Sequence, residues 1–195
     1  MAKHADHEKR RAAFAAAAFK ILASDGLQGL TVRNVAKAAG YTTGALVHYF
    51  PAKHDLFLAA SEHAAAFVRP RMEREEEVFH GLEGVRQVIL EALPRTPHAR
   101  ALWSVWLVFW DRARIDPEVG KLARERYLEW LGRLTRLFRK AIEAGDVDPK
   151  HDPAQLARTA TILVDGIAIQ ALRSAMRLSP AMQTKLIDDW LAALT

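Results

Sequence analysis

Hydrophobic side chains recur at intervals of three and four residues along most of the 195-residue chain, which is the period of an amphipathic α-helix. No segment alternates hydrophobic and polar residues in the way that a half-buried strand does. Glycine and proline interrupt the pattern at places where helices commonly begin or end. The pattern therefore predicts an all-α protein of about nine helices, near residues 8–24, 31–40, 43–49, 53–78, 81–94, 98–114, 117–144, 153–176 and 180–194.

The segment AGYTTGALVHYFPAKHDL, residues 39–56, departs from the pattern of an ordinary core helix. Gly40 permits the left-handed backbone of a tight turn, so the second and third helices are predicted to form a helix-turn-helix. Leu46 and Phe50 lie four residues apart and can both face the core. The outward-facing side chains are then Thr42, Thr43, Val47 and His48, with Tyr49 at the edge.

Small side chains, hydroxyls and an imidazole on a short exposed helix suit close approach to a DNA major groove. Lys53 begins the next helix, where a lysine beside free backbone N–H groups suits a phosphate. Positive charge is concentrated in the same region: residues 1–58 carry eight lysines and arginines against four acids, whereas the remainder carries 20 against 19. A solvated face on an ordinary helical hairpin is the alternative interpretation, but the residue order together with this charge favours DNA binding.

Composition and motifs exclude several other classes of protein. The chain has no cysteine, which excludes disulfides and thiolate metal sites. Lys20 interrupts the alanine-rich run near the N-terminus, and no uncharged run is long enough to span a bilayer, so we expect a soluble, cytoplasmic protein with no membrane partner. No nucleophile elbow, phosphate-binding glycine loop or HExxH is present, so we expect no catalytic residue, cofactor or metal. Two alternatives remain open: an all-helical enzyme that uses Asp111, Asp165 and the histidines, and a helical scaffold module that binds no DNA.

The residues GLTVRNVAKAAGYTTGALVHYFPAKHDLF closely resemble the DNA-binding head of the TetR family of bacterial repressors, over about residues 8–58. This resemblance implies that Thr31 is a phosphate-binding cap, that Arg33 reaches a base or a phosphate, and that Lys53 binds a phosphate. It also implies DNA contacts along the recognition helix, from Thr42, Thr43, Gly44, His48 and Tyr49. Val47 stands where the family usually has tyrosine, so we expect one hydroxyl contact to be absent and Val47 to contact a thymine methyl instead.

The segments LWSVWLVFW, DPEVGKLARERY and LVDGIAIQAL resemble the regulatory domain of BetI-type repressors, a choline-responsive branch of the TetR family. The resemblance implies a small-molecule inducer such as a quaternary ammonium compound. We expect an inducer pocket walled by helices five to eight, because large apolar side chains converge there. Its predicted wall is Trp103, Trp106, Phe109 and Trp110, with Asp165 or Asp111 as a polar anchor. Tryptophan faces attract cations, but such a stripe more often packs in a core, and an uncharged hydrophobic ligand is an equal alternative.

The last two predicted helices can pair with those of a second subunit across a two-fold axis as a four-helix interface. The side chains predicted to form this interface are Leu156, Ala160, Leu163, Ile167, Leu186, Ile187, Trp190 and Leu194. The sequence thus predicts a homodimeric transcriptional repressor that binds near-palindromic, double-stranded operator DNA and is released by an inducer. Residues 1–57 are the predicted helix-turn-helix domain, and residues 58–195 are the predicted regulatory and dimerisation domain.

Overall fold

Nine α-helices and no strand occur in residues 2–173 and 178–195, which are the residues that this computed structural model describes. The helices are α1 Ala2–Gly29, α2 Val32–Ala39, α3 Thr43–Tyr49, α4 Lys53–Val78, α5 Gly81–Ala92, α6 Pro97–Ala113, α7 Pro117–Glu143, α8 Pro153–Leu172 and α9 Pro180–Ala192. The predicted all-α fold class is therefore confirmed. None of these helices, over the residues described, is long and apolar enough to cross a membrane.

Most helix boundaries fall within a few residues of the predicted ones. The largest differences are at the start of α1 and the end of α8. Helix α1 begins earlier than predicted, but Gly26 has φ 64° and breaks the helical backbone at the predicted stop. Helix α8 ends at Leu172, and its predicted end at residue 176 lies outside the described residues. Helix α9 ends at Ala192, so Leu194 belongs to the C-terminal segment that follows it.

The chain packs into two compact units. The first unit comprises Met1–Phe67 and Ala101–Gly120, and the second comprises Val68–Arg100 and Lys121–Thr195. Residues 58–67 and most of α6 therefore pack with the helix-turn-helix, although the predicted domain boundary assigns them to the regulatory domain. That boundary divides the chain by function, and it stays a prediction.

The core of the first unit is built around α1 and the helix-turn-helix. Phe14 of α1 is fully buried, and so is Leu46 of α3. The ring of Phe50 meets that of Phe14 edge to face, with 6.4 Å between centroids. Val35 of α2 completes this contact region with no exposed surface. Leu46 and Phe50 thus face the core as their spacing predicted.

Among its described residues, the second unit combines apolar burial with several polar contacts between distant parts of the chain. Arg86 of α5 donates two hydrogen bonds to Asp188 of α9, at 2.6 and 3.2 Å. The indole N–H of Trp130 in α7 donates to the hydroxyl of Thr161 in α8 at 3.0 Å. Asp146 accepts a 3.0 Å hydrogen bond from the backbone N–H of residue 82, at the start of α5. These contacts fix the mutual rotation of helices whose surfaces are largely apolar.

Gly40 is the residue whose backbone conformation the helix-turn-helix requires. It lies in the left-handed region at φ 75° and ψ 27°. Its N–H donates to the carbonyl of Lys37 at 3.2 Å, and the N–H of Tyr41 donates to that of Ala36 at 2.9 Å. This pair of bonds is a Schellman motif, in which glycine avoids the steric cost of a Cβ.

We predict that Gly40→Ala lowers the free energy of unfolding by about 1–2 kcal/mol, because alanine is strained at positive φ. Gly44→Ala is the matched control, since Gly44 lies inside α3 and an added Cβ would meet no atom within 4 Å. It should stabilise the protein by about 0.5–1 kcal/mol through its better helix propensity. Urea denaturation followed by circular dichroism measures both, and equal effects of the two substitutions would contradict this account of the turn.

Candidate nucleic-acid interface and ligand site

Side-chain caps set the start of both helices of the helix-turn-helix. The hydroxyl of Thr31 accepts a 3.1 Å hydrogen bond from the backbone N–H of Asn34, and that of Thr42 accepts a 3.2 Å bond from Ala45. The Asn34 side chain also donates to the carbonyl of Gly29 at 2.9 Å. Thr31 and Thr42 are therefore already used as N-caps, which fixes the direction in which the free N–H groups of α2 and α3 point.

The outward face of α3 has the composition that the sequence predicted. Its exposed positions are Thr42, Thr43, Gly44, Val47 and His48. Val47 is 44% exposed, whereas its neighbour Leu46 is fully buried. The exposed face thus offers two hydroxyls, an imidazole and an apolar methyl pair, with no lysine or acid between them. This surface can approach base edges closely.

Tyr49 is held against α1 at the end of α3. Its ring lies 4.5 Å from that of His7 and 5.5 Å from that of Phe14, measured between centroids. Arg11 lies one turn after His7, with its guanidinium 4.9 Å from the centroid of Phe50. The sequence reasoning missed these residues of α1. The available signal was the spacing of His7, Arg11 and Phe14, which places all three on one helical face.

Two exposed cations flank this surface. Arg33 lies in the first turn of α2 and Lys53 in the first turn of α4. Neither side chain makes an ion pair with another described residue, so both are free to bind a phosphate. The carboxylate of Asp55, two residues after Lys53, accepts a 2.9 Å hydrogen bond from the backbone N–H of Ala52.

A charged cluster surrounds His54, the residue that follows Lys53, in the same unit. The Nε2 atom of His54 is 3.1 Å from Oε2 of Glu118, and its Nδ1 atom is 3.6 Å from Oδ2 of Asp116. Asp116 also accepts from Arg112, with 3.1 Å between Nη2 and Oδ2. The backbone N–H groups of Glu118 and Val119 donate to its other oxygen at 3.2 and 3.3 Å. Burial alone would raise the pKa of Asp116, but the Val119 N–H, Arg112 and His54 together hold that pKa below its ordinary value.

The residues predicted to wall an inducer pocket differ widely in exposure. Trp103 and Phe109 are buried, and Phe109 stacks on Phe57 with 6.1 Å between centroids. Trp106 is half-buried and meets Phe109 edge to face, whereas Trp110 is 37% exposed and meets Trp103 edge to face at 5.5 Å. The four aromatic residues thus lie together on α6. Trp103 and Phe109 are packed in the core, which is the alternative to a pocket wall that the sequence left open.

A cavity of about 360 Å³ adjoins the C-terminal end of α6. Its lining comprises Leu27, Leu107, Val108, Asp111, Arg112 and Ile115, so Asp111 is the predicted ligand residue that takes part. Asp111 is strongly exposed and lies 3.7 Å from Arg114. The cavity has the size of a small-molecule site, with mainly apolar walls and two charged groups.

Asp165, the other predicted anchor, lies on α8 in the second unit. Its side chain is half-buried, and burial raises the pKa of Asp165 to about 6. Its carboxylate has no hydrogen bond to the described residues. A carboxylate in this setting is available to a cation or to a donor from another molecule.

Most of the residues predicted to form the dimer interface are buried within the second unit. Five of the eight are buried: Leu156, Ala160, Ile167, Ile187 and Leu194. Leu163 and Trp190 are half-buried, the latter packing against Phe138 with 5.9 Å between ring centroids. Leu186 is 40% exposed. The exposed apolar side chains that the sequence reasoning missed on these two helices are Ile162, Ile169 and Met182.

Two family models match this chain. One, described as BetI-type transcriptional repressor, C-terminal, matches residues 81–195, and the other, described as bacterial regulatory proteins, tetR family, matches residues 15–60. The chain belongs to the TetR family. Its C-terminal part is of the BetI type.

Curated relatives agree with this assignment. The chain is 29% identical over 181 residues to the HTH-type transcriptional regulator PksA of Bacillus subtilis, covering 92% of this chain and 86% of that protein. It is 25% identical over 199 residues to the HTH-type transcriptional regulator BetI of Burkholderia cenocepacia, covering 100% of this chain and 98% of that protein.

Solved structures share the fold. A transcriptional regulator from Saccharomonospora viridis, crystallised in complex with choline, has a TM-score of 0.88 at 24% identity, with 95% of this chain and 96% of that chain covered. A transcriptional regulator from Rhodococcus sp. Rha1 has a TM-score of 0.82 at 23% identity, with 94% and 95% covered. These two similarities concern the fold alone. The family matches make this TetR-family protein a DNA-binding transcriptional regulator rather than an enzyme, so the enzyme and scaffold alternatives are wrong.

We predict that Lys53→Ala weakens binding to all DNA sequences and lowers the slope of log affinity against log salt by about one unit for each bound subunit. The physical reason is the loss of one phosphate contact and of the counterion release that accompanies it. Fluorescence anisotropy with labelled duplexes over a range of salt concentrations measures both quantities. Lys140→Ala, at an exposed position of α7, is the matched control and should leave the slope unchanged. An unchanged slope in Lys53→Ala would contradict the assigned contact.

Proposed function

We propose that this regulator binds a near-palindromic operator as a homodimer and is released from it by a small-molecule inducer. The observation that carries the proposal is the outward face of α3, where small, hydroxyl-bearing and imidazole side chains are exposed together. Helix α3 enters the major groove in this proposal, and Thr43, Val47 and His48 face the base edges. Gly44 allows the backbone of α3 to come close to the DNA.

The phosphate contacts lie on either side of the base-reading face. Arg33 and Lys53 begin the helices before and after α3, and each lacks an ion-pair partner among the described residues. Thr31 and Thr42 present the N-terminal N–H groups of α2 and α3 to the DNA backbone. Tyr49 contributes its hydroxyl while its ring stays packed on His7 and Phe14. Such contacts position the protein, and the α3 side chains supply sequence preference.

The homodimer interface is proposed on the exposed apolar side chains of α8 and α9. Ile162 is 71% exposed and Ile169 is 43% exposed, and their spacing places them on one face of α8. Leu186 and Met182 are the corresponding exposed pair on α9. This surface replaces most of the interface predicted from the sequence, because Leu156, Ile167 and their neighbours already pack inside the subunit. Leu186 belongs both to the interface predicted from the sequence and to the interface proposed from the exposed side chains.

We predict that light scattering shows a dimer at micromolar concentration and that Ile169→Glu shifts it towards monomer, because a charge would be buried at the interface. Leu128→Glu is the matched control, since Leu128 of α7 is similarly exposed and lies outside the proposed surface. Selection from random duplexes should then yield two inverted half-sites whose centres lie about 34 Å apart or further.

A monomeric wild-type protein with intact helicity would remove the dimer proposal. A selected sequence with a single, asymmetric site would remove the palindromic operator. A Leu128→Glu protein that dissociates as readily as Ile169→Glu would show that the effect of the charge is not confined to this surface.

The inducer is proposed to contact the aromatic cluster of α6. Trp110 is the most exposed of its tryptophans, and its edge-to-face contact with Trp103 leaves a ring face available to a ligand. A tryptophan face attracts a quaternary ammonium group by about 0.5–2 kcal/mol, depending on desolvation. The choline bound to the Saccharomonospora viridis protein and the BetI-type family match support a cation of this kind. Asp111, which lies in the same unit as Trp110, is the candidate carboxylate for its charge.

We predict that choline or a related cation quenches tryptophan fluorescence and releases the selected duplex, and that Trp110→Ala loses both responses. Trp190→Phe is the control, because this ring packs on Phe138 in the second unit. If a neutral apolar compound produces both responses and no cation does so at millimolar concentration, the proposal of a cationic inducer is wrong. The proposal of an apolar ligand at the same aromatic cluster then remains. If Leu107→Trp, which fills the α6 cavity, abolishes release while Trp110→Ala retains it, the inducer site is that cavity instead.

A further inference from the structure

His54 occupies a position that no DNA contact or core contact explains. It follows Lys53 in the first turn of α4, is 30% exposed, and points at two carboxylates from the corner between α6 and α7. An ordinary solvated histidine would not be expected to lie within 3.6 Å of one carboxylate and 3.1 Å of another. The arrangement joins the start of the helix that carries Lys53 to a distant part of the same unit.

Asp116 is a fixed partner rather than a mobile one. Its carboxylate caps α7 by accepting from two backbone N–H groups, and it also pairs with Arg112 of α6. Its side chain is only 13% exposed. Because Asp116 is held from three directions, a histidine bound to it is held as well. Glu118 is much more exposed, and it supplies the shorter of the two contacts to His54.

The Nε2 atom of His54 lies within hydrogen-bond distance of Glu118, whereas the 3.6 Å from Nδ1 to Asp116 is an ion-pair distance and too long for a hydrogen bond. An N–H on Nε2 donates to Glu118, while the other side of the ring lies beside Asp116. The other charged groups around it in this unit are Lys53 and Asp55 on its own helix and Arg112 behind Asp116.

We infer that His54 is a positioning residue for operator binding: its ring ties the first turn of α4 to Glu118 and Asp116 and thereby holds Lys53 in place for a phosphate. This inference rests on the proposed phosphate contact of Lys53. Fixing the first turn before DNA arrives reduces the ordering cost of binding. Replacing His54 with a side chain that cannot reach these carboxylates should therefore lower operator affinity.

The test compares wild type, His54→Ala, His54→Gln and His80→Gln in binding to the selected duplex at one pH and constant ionic strength. His54→Ala should lose affinity by about three- to tenfold. His54→Gln keeps an N–H donor directed at Glu118 and should recover part of that loss. His80→Gln changes an exposed histidine at the start of α5 and should behave as wild type.

A double-mutant cycle separates positioning from a merely structural role. If His54 acts through Lys53, His54→Ala should cost little affinity in a Lys53→Ala background, so the two effects are not additive. Additive effects would overturn the inference, and so would a His54→Ala protein that binds the duplex like wild type or a His54→Gln protein that binds no better than His54→Ala. A wild-type protein that selects no duplex would instead overturn the proposed function, and this outcome is distinct from the others.

Discussion

A seven-residue helix cannot stay folded in water by itself, and the proposed DNA-binding face of this protein depends on such a helix. Helix α3 has too few residues to offset the cost of nucleation. Its conformation is maintained by the burial of Leu46 and Phe50, by the Thr42 cap and by the aromatic contacts of Phe14. The positions of Val47 and His48 are therefore a consequence of packing on the opposite side of the same helix.

The helix-turn-helix could be predicted from the sequence because each of its features has a local cause. Thr31 and Thr42 are caps three residues before the N–H groups that they accept from, and Gly40 ends α2 in the conformation for which glycine is suited. Within residues 43–50, Leu46 and Phe50 are the large apolar residues that share a helical face, and this face lies opposite the polar positions. Local chemistry and burial thus agree, which makes the prediction reliable.

The orientation of α8 could not be predicted in the same way. This helix is apolar on most sides, with Leu156 and Ile167 on one face and Ile162 and Ile169 on the other. Periodicity alone does not say which face the subunit buries, and the choice is made by contacts with α5, α7 and α9. The hydrogen bond from Trp130 to Thr161 joins residues 31 positions apart, and no local pattern reveals it. The same limit applies to His54, whose partners lie more than 60 positions away.

The exposed side of α3 is separate from the residues that keep the helix folded. Thr43, Val47 and His48 contribute almost nothing to the core, whereas Leu46 and Phe50 contribute nothing to the exposed face. Substitutions at the first set are therefore nearly free of a folding penalty. Under the proposed DNA contacts, a descendant of this protein could acquire a new operator through a few changes at these positions while its scaffold remained the same. Divergence of DNA preference within such a lineage would then be limited by mutation supply and by selection on the regulated genes, and not by protein stability.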